Sequence, residues 1–169
     1  MRKLIVFYSR AGENFFAGKF KNVDVGNTEI VAGILHTIID ADLFKIEQEI
    51  PYSDVYKECV QQSLKDFKEN ARPVIKNLMD SLKNYDEIYL GFPNYCGTMP
   101  MAVYTFLETF DFSWKVIHPF MTHEGSGLCN TVAEIQEHAK GSCVTNGIAI
   151  LGREANDAEQ LLKNWIQSF

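Results

Sequence analysis

The chain has 169 residues, of which 46% are apolar and 22% are charged, and its net charge is -6. This length and balance are typical of one globular domain with a substantial core. The negative charge argues against nucleic acid or an anionic membrane surface as the main partner, because both attract basic patches.

Five short runs rich in branched and aromatic residues predict buried β-strands. In chain order they are KLIVFY (3–8), ADLFKI (41–46), EIYLGF (87–92), KVIHPFMT (115–122) and CVTNGIAIL (143–151). Stretches with apolar residues at helical spacing separate them. The predicted helices begin at Asn27, run from Ser53 to about Asn70, occupy residues 74–85, begin at Pro100, follow Asn130 and end the chain.

This alternation predicts a single α/β domain over residues 1–169. Its parallel sheet should be covered by helices on both faces, which gives three layers. In such folds ligands bind beyond the carboxyl ends of the strands, at the point where the strand order reverses. The residues that follow the first, third and fourth strands are therefore the candidate site.

The chain has four cysteines: Cys59, Cys96, Cys129 and Cys143. No two of them form a C-x-x-C pair, and no histidine lies at zinc-finger spacing from them. The apolar run near the start, with about six residues, is too short for a signal peptide or a membrane span. We therefore expect reduced thiols and a cytoplasmic protein that binds neither membranes nor nucleic acid.

The segment after the first strand has the composition of an anion-binding turn that is split in two. Ser9, Arg10 and Ala11 follow the strand, and Gly26 precedes Asn27 and Thr28 at the start of a helix. Hydroxyl groups, a positive side chain and helix N–H groups suit a phosphate. The alternative is that Asn27 or Thr28 only caps the helix. Neither the nucleotide P-loop nor the G-x-G-x-x-G fingerprint is present.

The loop after the third strand, in the stretch GFPNYCGTMP, contains two prolines that restrict the backbone, and Gly97 permits an unusual conformation. Tyr95 offers a planar face to a ligand. The alternative is an ordinary connection with one surface tyrosine.

The loop after the fourth strand, THEGSGL (122–128), is rich in glycine, so several of its N–H groups are free to converge on an acceptor. His123 and Glu124 have the residue types of an acid–base pair. No third ligand stands at a useful spacing, so we predict no metal site. The other histidines, His36, His118 and His138, are interpreted as structural.

Together the three loops suit a ligand that has a phosphate, a flat ring and polar ring edges, and flavin mononucleotide (FMN) combines these features. The chain also resembles the flavodoxin-like FMN proteins, and within them a bacterial subgroup of flavodoxins and flavoproteins. The resemblance covers nearly the whole chain and is carried by YSRAGEN with VGNTEIVA, by ENARP, by GFPNYCGTMPMAV, and by FDFSWK with THEGSG. It implies a five-stranded sheet in the order 2-1-3-4-5, in which FMN lies at the switch point.

The resemblance also implies the roles of the site residues. The phosphate turn would be formed by Ser9, Arg10 and Ala11 together with Asn27 and Thr28. The loop beside the isoalloxazine ring would be formed by Pro93, Asn94, Tyr95, Cys96, Gly97 and Thr98. The loop that hydrogen-bonds the pyrimidine edge would be formed by Thr122, His123, Glu124, Gly125, Ser126 and Gly127.

Two departures from the family pattern bear on the flavin ring. Cys96 stands where the family usually has a tryptophan, and the loop after the fourth strand lacks the aromatic residue of many flavodoxins. By analogy with nucleic acid bases, each stacking partner contributes about 1–3 kcal/mol. We therefore expect weaker FMN binding than in a protein with both rings.

Residues 12–26 are predicted to be an insertion that loops out of the phosphate turn. Phe15, Phe16 and Phe20 would be unfavourable as a cluster in water. The hypothesis is that the insertion folds back near the flavin or makes a subunit contact, which leaves homodimer formation open. The alternative is a simple surface hairpin.

Two functions are compatible with this sequence. One is an electron carrier between redox partner proteins, and the negative net charge favours partners that are basic. The other is an NAD(P)H-dependent oxidoreductase that reduces a quinone or a similar small acceptor, with Tyr52 and Tyr56 walling the substrate pocket. A flavin-free phospho-receiver would need carboxylates at the strand ends, where this chain has Ser9-Arg10 and Pro93-Asn94.

Overall fold

The computed structural model describes residues 2–169. Its strands are β1 (Lys3–Tyr8), β2 (Gly12–Phe16), β3 (Lys19–Val23), β4 (Asp42–Ile46), β5 (Glu87–Pro93), β6 (Val116–His123), β7 (Cys143–Val144) and β8 (Ile148–Leu151). Its helices are α1 (Asn27–Ile38), α2 (Tyr56–Lys68), α3 (Met101–Thr109), α4 (Thr131–His138) and α5 (Glu159–Ile166). A 3-10 turn over Gly152–Asp157 precedes α5.

The central sheet has the predicted topology. Strands β4, β1, β5, β6 and β7 lie side by side in that order and are parallel, and β8 pairs with β6 as well. Counted among the predicted strands, this is the order 2-1-3-4-5, so the flavodoxin-like fold is confirmed. The carboxyl ends of β1, β5 and β6 consequently lie together at one edge of the sheet.

The fifth predicted strand is present in the sheet, but it consists of two pieces, β7 and β8. Strand β7 pairs with Val116 and Ile117, and β8 pairs with Phe120–His123, so the ladder is interrupted in between. Pro119 lies at this interruption and has no N–H group to donate to a neighbouring strand. The Thr145 hydroxyl in the connecting segment instead contacts His118 Nδ1 at 3.0 Å.

The predicted helix over residues 74–85 is also wrong. This segment forms turns, and Ile75 makes an antiparallel bridge with Gln48. The backbone amides of Glu49 and Lys76 donate to the carbonyls of Val74 and Glu47 at 2.9 and 2.7 Å. Ile75 and Leu82 are buried, so the apolar pattern marks burial of an extended segment.

The apolar side chains form one core on each face of the sheet. Leu4, Val6 and Tyr8 point into the core beneath α3 and α4, whereas Ile5 and Phe7 point into the core beneath α1 and α5. This alternation is the two-residue repeat of a strand that is buried on both faces.

The inserted segment is a hairpin of β2 and β3 that forms its own two-stranded sheet. Its turn places Ala17 and Gly18 at φ +46° and +87°, as two-residue hairpin turns require. Within residues 2–169, no helix is both long enough and apolar enough to cross a bilayer.

Candidate functional site

The two halves of the split turn are in direct contact in the folded chain. A Cβ atom on Gly26 would lie 2.3 Å from Ser9 Oγ and 2.5 Å from the Arg10 carbonyl oxygen, so only glycine fits there. Ser9 Oγ accepts the Glu29 amide of α1 at 3.1 Å. The amides of Asn27 and Thr28 open the helix and therefore have no intrahelical acceptor. The hairpin thus leaves the compact turn intact.

Arg10 has a structural role that the sequence did not predict. Its guanidinium group donates to the carbonyl oxygens of Ser53, Glu13 and Asp54 at 3.1, 2.7 and 2.8 Å. These bonds join the base of the hairpin to the segment that precedes α2. Arg10 still lines the cavity described below, so it supplies positive charge there while its donors are used internally.

Thr28 and Thr122 fix α1 to the end of β6. Their hydroxyl oxygens lie 2.7 Å apart, and both residues are buried. Both are predicted site residues that the fold brings together. The bond between their hydroxyl groups makes Thr28 a support of the turn.

The loop after β5 makes a tight turn. Tyr95 and Thr98 exchange backbone hydrogen bonds at 2.9 Å, and Cys96 and Gly97 between them have φ of +55° and +79°. The Asn94 side chain accepts the Gly97 amide at 3.1 Å and donates to the Gly127 carbonyl oxygen at 3.2 Å. Asn94 therefore ties this turn to the β6 loop.

Thr98 lies behind the turn. Its hydroxyl group is 2.6 Å from the Tyr104 hydroxyl and also bonds the Glu134 carboxylate, which accepts Tyr104 as well at 2.9 Å. Thr98 is buried. It supports the turn from the side opposite the cavity.

The loop after β6 has converging amides, as predicted, but two of them converge on a side chain. His123 Nδ1 accepts the amides of Gly125 and Gly127 at 2.9 and 3.0 Å. A nitrogen that accepts two N–H groups carries no proton, so the ring is assigned as the Nε2–H tautomer. The two glycines thus shape the loop around His123.

Glu124 does not pair with His123. One of its carboxylate oxygens accepts the Ala17 amide at the hairpin turn at 3.1 Å. A Cβ on Gly152, which follows β8, would lie 2.7 Å from the other oxygen and 2.3 Å from Asn27 Nδ2. Glu124 therefore lies where the β6 loop, the hairpin and the start of α1 meet. Among residues 2–169 there is no cluster of three or more histidine, cysteine or acidic side chains placed to hold a metal ion.

These segments enclose a cavity of about 350 Å³, within the size range of small-ligand sites. Ten predicted site residues line it: Arg10, Asn27, Pro93, Asn94, Tyr95, Cys96, Thr122, His123, Glu124 and Ser126. The other seven lie beside or behind it: Ser9, Ala11, Thr28, Gly97, Thr98, Gly125 and Gly127. The strand-end wall is the name used below for the lining residues from the loops after β1, β5 and β6.

The opposite side, called the outer wall here, consists of cavity-lining residues from the hairpin and α2: Asn14, Phe15, Tyr56, Cys59, Val60, Ser63 and Leu64. Phe15 and Phe20 pack on each other at 5.7 Å, and their centroids lie 6.0 and 5.4 Å from that of Tyr56. The insertion is thus a hairpin, and it folds back over the cavity. Tyr56 lines this cavity, whereas Tyr52 lines a different one; a substrate pocket walled by both tyrosines stays a prediction.

Sequence reasoning missed several lining residues. Cys59, Val60, Ser63 and Leu64 recur at the spacing of one helical face, which was a signal available in the sequence. Gly152 follows the fifth strand, a strand end that was not considered. Asn14 gave no signal, because its place depends on the path of the hairpin.

The base of the cavity is aromatic. Tyr95 packs edge-on against Tyr8, with centroids 6.0 Å apart, and its hydroxyl oxygen accepts the Cys59 thiol at 3.8 Å. Burial raises the pKa values of Tyr8, Tyr95 and Cys59 above their ordinary values. These groups are therefore protonated and neutral near pH 7. The floor of the cavity is consequently uncharged and only weakly polar.

A second cavity, of about 460 Å³, lies between the second half of α2 and residues 48–52 and 71–74. None of the loops after β1, β5 and β6 reaches it. The smaller cavity at the sheet edge is the candidate site, since the switch point of the fold and the polar loops coincide there.

Comparison with known proteins agrees with this geometry. A family model described as flavodoxin matches residues 20–169, and the chain belongs to the flavodoxin family. A search of curated protein sequences finds no significant match.

Three solved structures are similar over nearly their whole length. A candidate flavoprotein from Bacteroides uniformis has 23% identity and a TM-score of 0.77, covering 96% of this chain and 97% of its own. One from Bacteroides eggerthii has 21% identity and a TM-score of 0.71, covering 98% of each chain. A flavoprotein from Lactobacillus acidophilus, solved in complex with FMN, has 21% identity and a TM-score of 0.63, covering 94% of this chain and 98% of its own. At these identities the likeness concerns the fold.

Proposed function

We propose that this protein binds FMN non-covalently in the cavity at the sheet edge and passes electrons through it between redox partners. The observation that carries the proposal is the meeting of three polar loops at the switch point of a flavodoxin fold, around one cavity. The free thiols of all four cysteines suit a reducing compartment, and we place the carrier in the cytoplasm.

The residues at one end of the cavity fit a phosphate group. The amides of Asn27 and Thr28 begin this helix beside Ser9, whose hydroxyl group accepts the following amide, that of Glu29. Helix N-termini favour anions through these amides and through the helix dipole. Arg10 adds positive charge, and three of its N–H donors hold carbonyl groups of the surrounding chain.

The residues at the other end fit a flat ring with polar edges. Pro93, Tyr95 and Cys96 offer one side and Phe15 and Tyr56 the other. The turn at Cys96 and Gly97 is exposed, and a Cβ atom on Gly97 would meet nothing within 4 Å, so the backbone there is open to close approach by a ring. When bound, FMN supplies reversible uptake of electrons; the protein holds it, excludes water and sets the surrounding charge.

The first test is titration of the purified protein with FMN, followed by visible absorption and by quenching of flavin fluorescence. Gly26→Ala should weaken FMN binding at least about tenfold, because the new methyl group displaces Ser9 from α1. Gly33→Ala is the matched control in the same helix, where a Cβ meets nothing within 4 Å. Ser9→Ala is the milder variant if Gly26→Ala does not fold. Absence of binding by the native chain would refute the proposal.

A second candidate function is reduction of a small planar acceptor by NAD(P)H. The outer wall supports it, because Phe15 and Tyr56 enclose space beside the ring site. Anaerobic NADPH should then bleach the bound flavin and a quinone should restore it. Phe15→Ala should slow the quinone step more than FMN binding. Failure of NADPH to bleach the flavin leaves the electron carrier as the function.

A further inference from the structure

We propose that helix α2 carries a docking surface for an acidic electron-transfer protein. The surface combines an apolar stripe, defined as Val60, Leu64 and Phe67, with a lysine row, defined as Lys57, Lys65 and Lys68. The electron exchange rests on the proposed function, whereas the docking itself does not.

The apolar stripe is exposed although it lies on a packed helix. Val60, Leu64 and Phe67 are 41%, 37% and 44% exposed, and their spacing of four and three residues places them on one face. The buried residues of α2, Cys59 and Ser63, lie on the adjacent side of the helix. Large apolar side chains grouped in this way are typical of interaction sites.

The lysine row runs beside the stripe. Lys65 and Lys68 share a surface depression with Leu64, and Lys57 lies three turns before Lys68 on the same side. None of the three lysines forms an ion pair within residues 2–169. They are free to meet charges on another molecule.

The acidic side chains of α2 are held on the side of residues 52–53. Glu58 accepts the Ser53 hydroxyl and Asp66 accepts the Tyr52 hydroxyl, each at 2.6 Å. Lys65 also lines the second cavity, together with Asp66 and Glu49. None of the three lysines is paired with an acidic side chain within residues 2–169, so the row keeps its positive charge beside the stripe. Glu69, just beyond the helix, borders the depression at its far end.

The stripe is continuous with the candidate site. Val60 and Leu64 belong to the stripe and also line the cavity. A partner that covers the stripe therefore contacts the outer wall itself. A short path between redox centres is what an electron carrier needs from its docking surface.

An acidic protein fits this surface better than other occupants. The net charge of -6 favours basic partners in general, but at physiological salt charges act over about 8 Å, so the local row decides the sign. An anionic bilayer would meet only three apolar side chains on a 13-residue helix, and it would gain nothing from contact with the cavity.

The test uses an acidic plant-type [2Fe–2S] ferredoxin and a basic c-type cytochrome as probes. Binding of each to the FMN-free protein is measured by calorimetry at 20 and 300 mM salt. Stopped-flow absorbance follows one-electron transfer from reduced ferredoxin to the FMN-loaded protein, in which ferredoxin is oxidised and the flavin is reduced. Lys57→Gln, Lys65→Gln and Lys68→Gln are combined in one variant, and Lys76→Gln, Lys83→Gln and Lys140→Gln in a matched control with the same change of charge.

We expect ferredoxin to bind more tightly than the cytochrome and to weaken at least tenfold between the two salt concentrations. The lysine-row variant should lose about tenfold in ferredoxin affinity and rate, and the control less than twofold. Phe67→Gln, outside the cavity, should weaken ferredoxin binding while FMN affinity stays unchanged.

Four outcomes would each overturn the docking proposal. Two concern the probes: equal losses of ferredoxin affinity in both triple variants, or tighter binding of the cytochrome than of ferredoxin. The other two are binding to vesicles of anionic phospholipid instead of ferredoxin, and a homodimer whose association is lost in Phe67→Gln. Calorimetry uses the FMN-free protein, so ferredoxin docking can be measured even if the protein does not bind FMN. A failure to bind FMN would therefore count against the proposed function alone.

Discussion

The strand-end wall and the outer wall face each other across one cavity but are held in different ways. Buried hydrogen bonds between elements of the main fold fix the strand-end wall, as between Thr28 and Thr122 or from Asn94 to the β6 loop. The outer wall is held by the Arg10 guanidinium group, by aromatic packing on Tyr56 and by one bond from Ala17 to Glu124. The fold dictates the first wall, whereas an insertion supplies Asn14 and Phe15 of the second.

This difference predicts where each wall fails. Opening the strand-end wall requires the sheet and α1 to separate, which is close to global unfolding. The outer wall can open at the hairpin alone, because the hairpin forms its own small sheet. Local opening of peripheral segments with few buried contacts is common in native proteins.

The largest expected effect comes from removing the link between hairpin and α2. Arg10→Ala leaves the carbonyl groups of Ser53, Glu13 and Asp54 without their donor. We expect a loss of about 4 kcal/mol in the free energy of unfolding, together with rapid proteolysis at the Ala17–Gly18 turn. Urea unfolding and limited proteolysis measure both. Arg153→Ala is the control, and an uncleaved hairpin in Arg10→Ala would contradict a distinct outer wall.

The next effect concerns acid and His118, a residue that lines neither wall. Burial lowers the pKa of His118 to about 4 from an ordinary value of 6.5, outweighing Glu87 at 3.8 Å. The folded state therefore keeps this ring neutral, while the unfolded chain takes up a proton below pH 6.5. The stabilisation is present above pH 6.5 and is lost as pH falls to about 4, amounting to about 3 kcal/mol.

The measurement is urea unfolding of the native protein and of His118→Phe across this pH range. His118→Phe, which retains a ring between Tyr89 and Phe169, should show a flatter profile. His36→Gln, at an exposed position, should follow the native protein. If the unfolding free energy of His118→Phe fell with pH as steeply as that of the native protein, the acid sensitivity would come from another group.

A smaller effect tests the strand-end wall. Thr122→Val leaves the buried Thr28 hydroxyl without its partner and should cost about 2 kcal/mol in unfolding free energy. The double variant Thr28→Val with Thr122→Val should cost less than the sum of the single changes. Strict additivity in chemical denaturation would show that the two hydroxyl groups do not couple.

The smallest effect concerns the joint between hairpin and α2. No side chain within α2 caps its start, and the Glu13 carboxylate accepts the Tyr56 amide at 3.1 Å. Glu13→Gln should therefore cost about 1 kcal/mol, because a negative charge leaves the helix N-terminus. Glu137→Gln is the control, and calorimetric melting compares the two. Equal melting temperatures would exclude this capping role.

The sequence predicted the sheet order and the strand-end wall because both depend on local patterns. Buried strands are recognisable in the sequence as apolar runs. Because the strands are parallel, the polar residues that follow them all lie at the same edge of the sheet. The failures have non-local causes. Residues 74–85 have helical spacing, but their backbone pairs with residues 47 and 49, a contact that no local pattern encodes.

The outer wall illustrates the same limit. Three phenylalanines indicated that the insertion folds back onto the protein, and Phe15 and Phe20 do so. Phe16, on the other side of the hairpin strand, lies beneath Lys21 at 5.9 Å instead. The path of the hairpin depends on the hydrogen bonds from Arg10 to three backbone carbonyl groups. A pattern of residue types does not reveal such bonds. Arg10 itself was predicted for its charge and not for its geometry.

The hairpin leaves the phosphate turn and returns to it at almost the same point, since Gly12 pairs directly with Val23. The length of chain between these residues has no influence on how far apart Ser9 and Asn27 stand. The tip of the hairpin can therefore be lengthened, shortened or replaced while the first amides of α1 keep their positions. A binding peptide or reporter inserted at Gly18, where a Cβ atom would meet nothing within 4 Å, would be carried by the hairpin whose Phe15 lines the cavity.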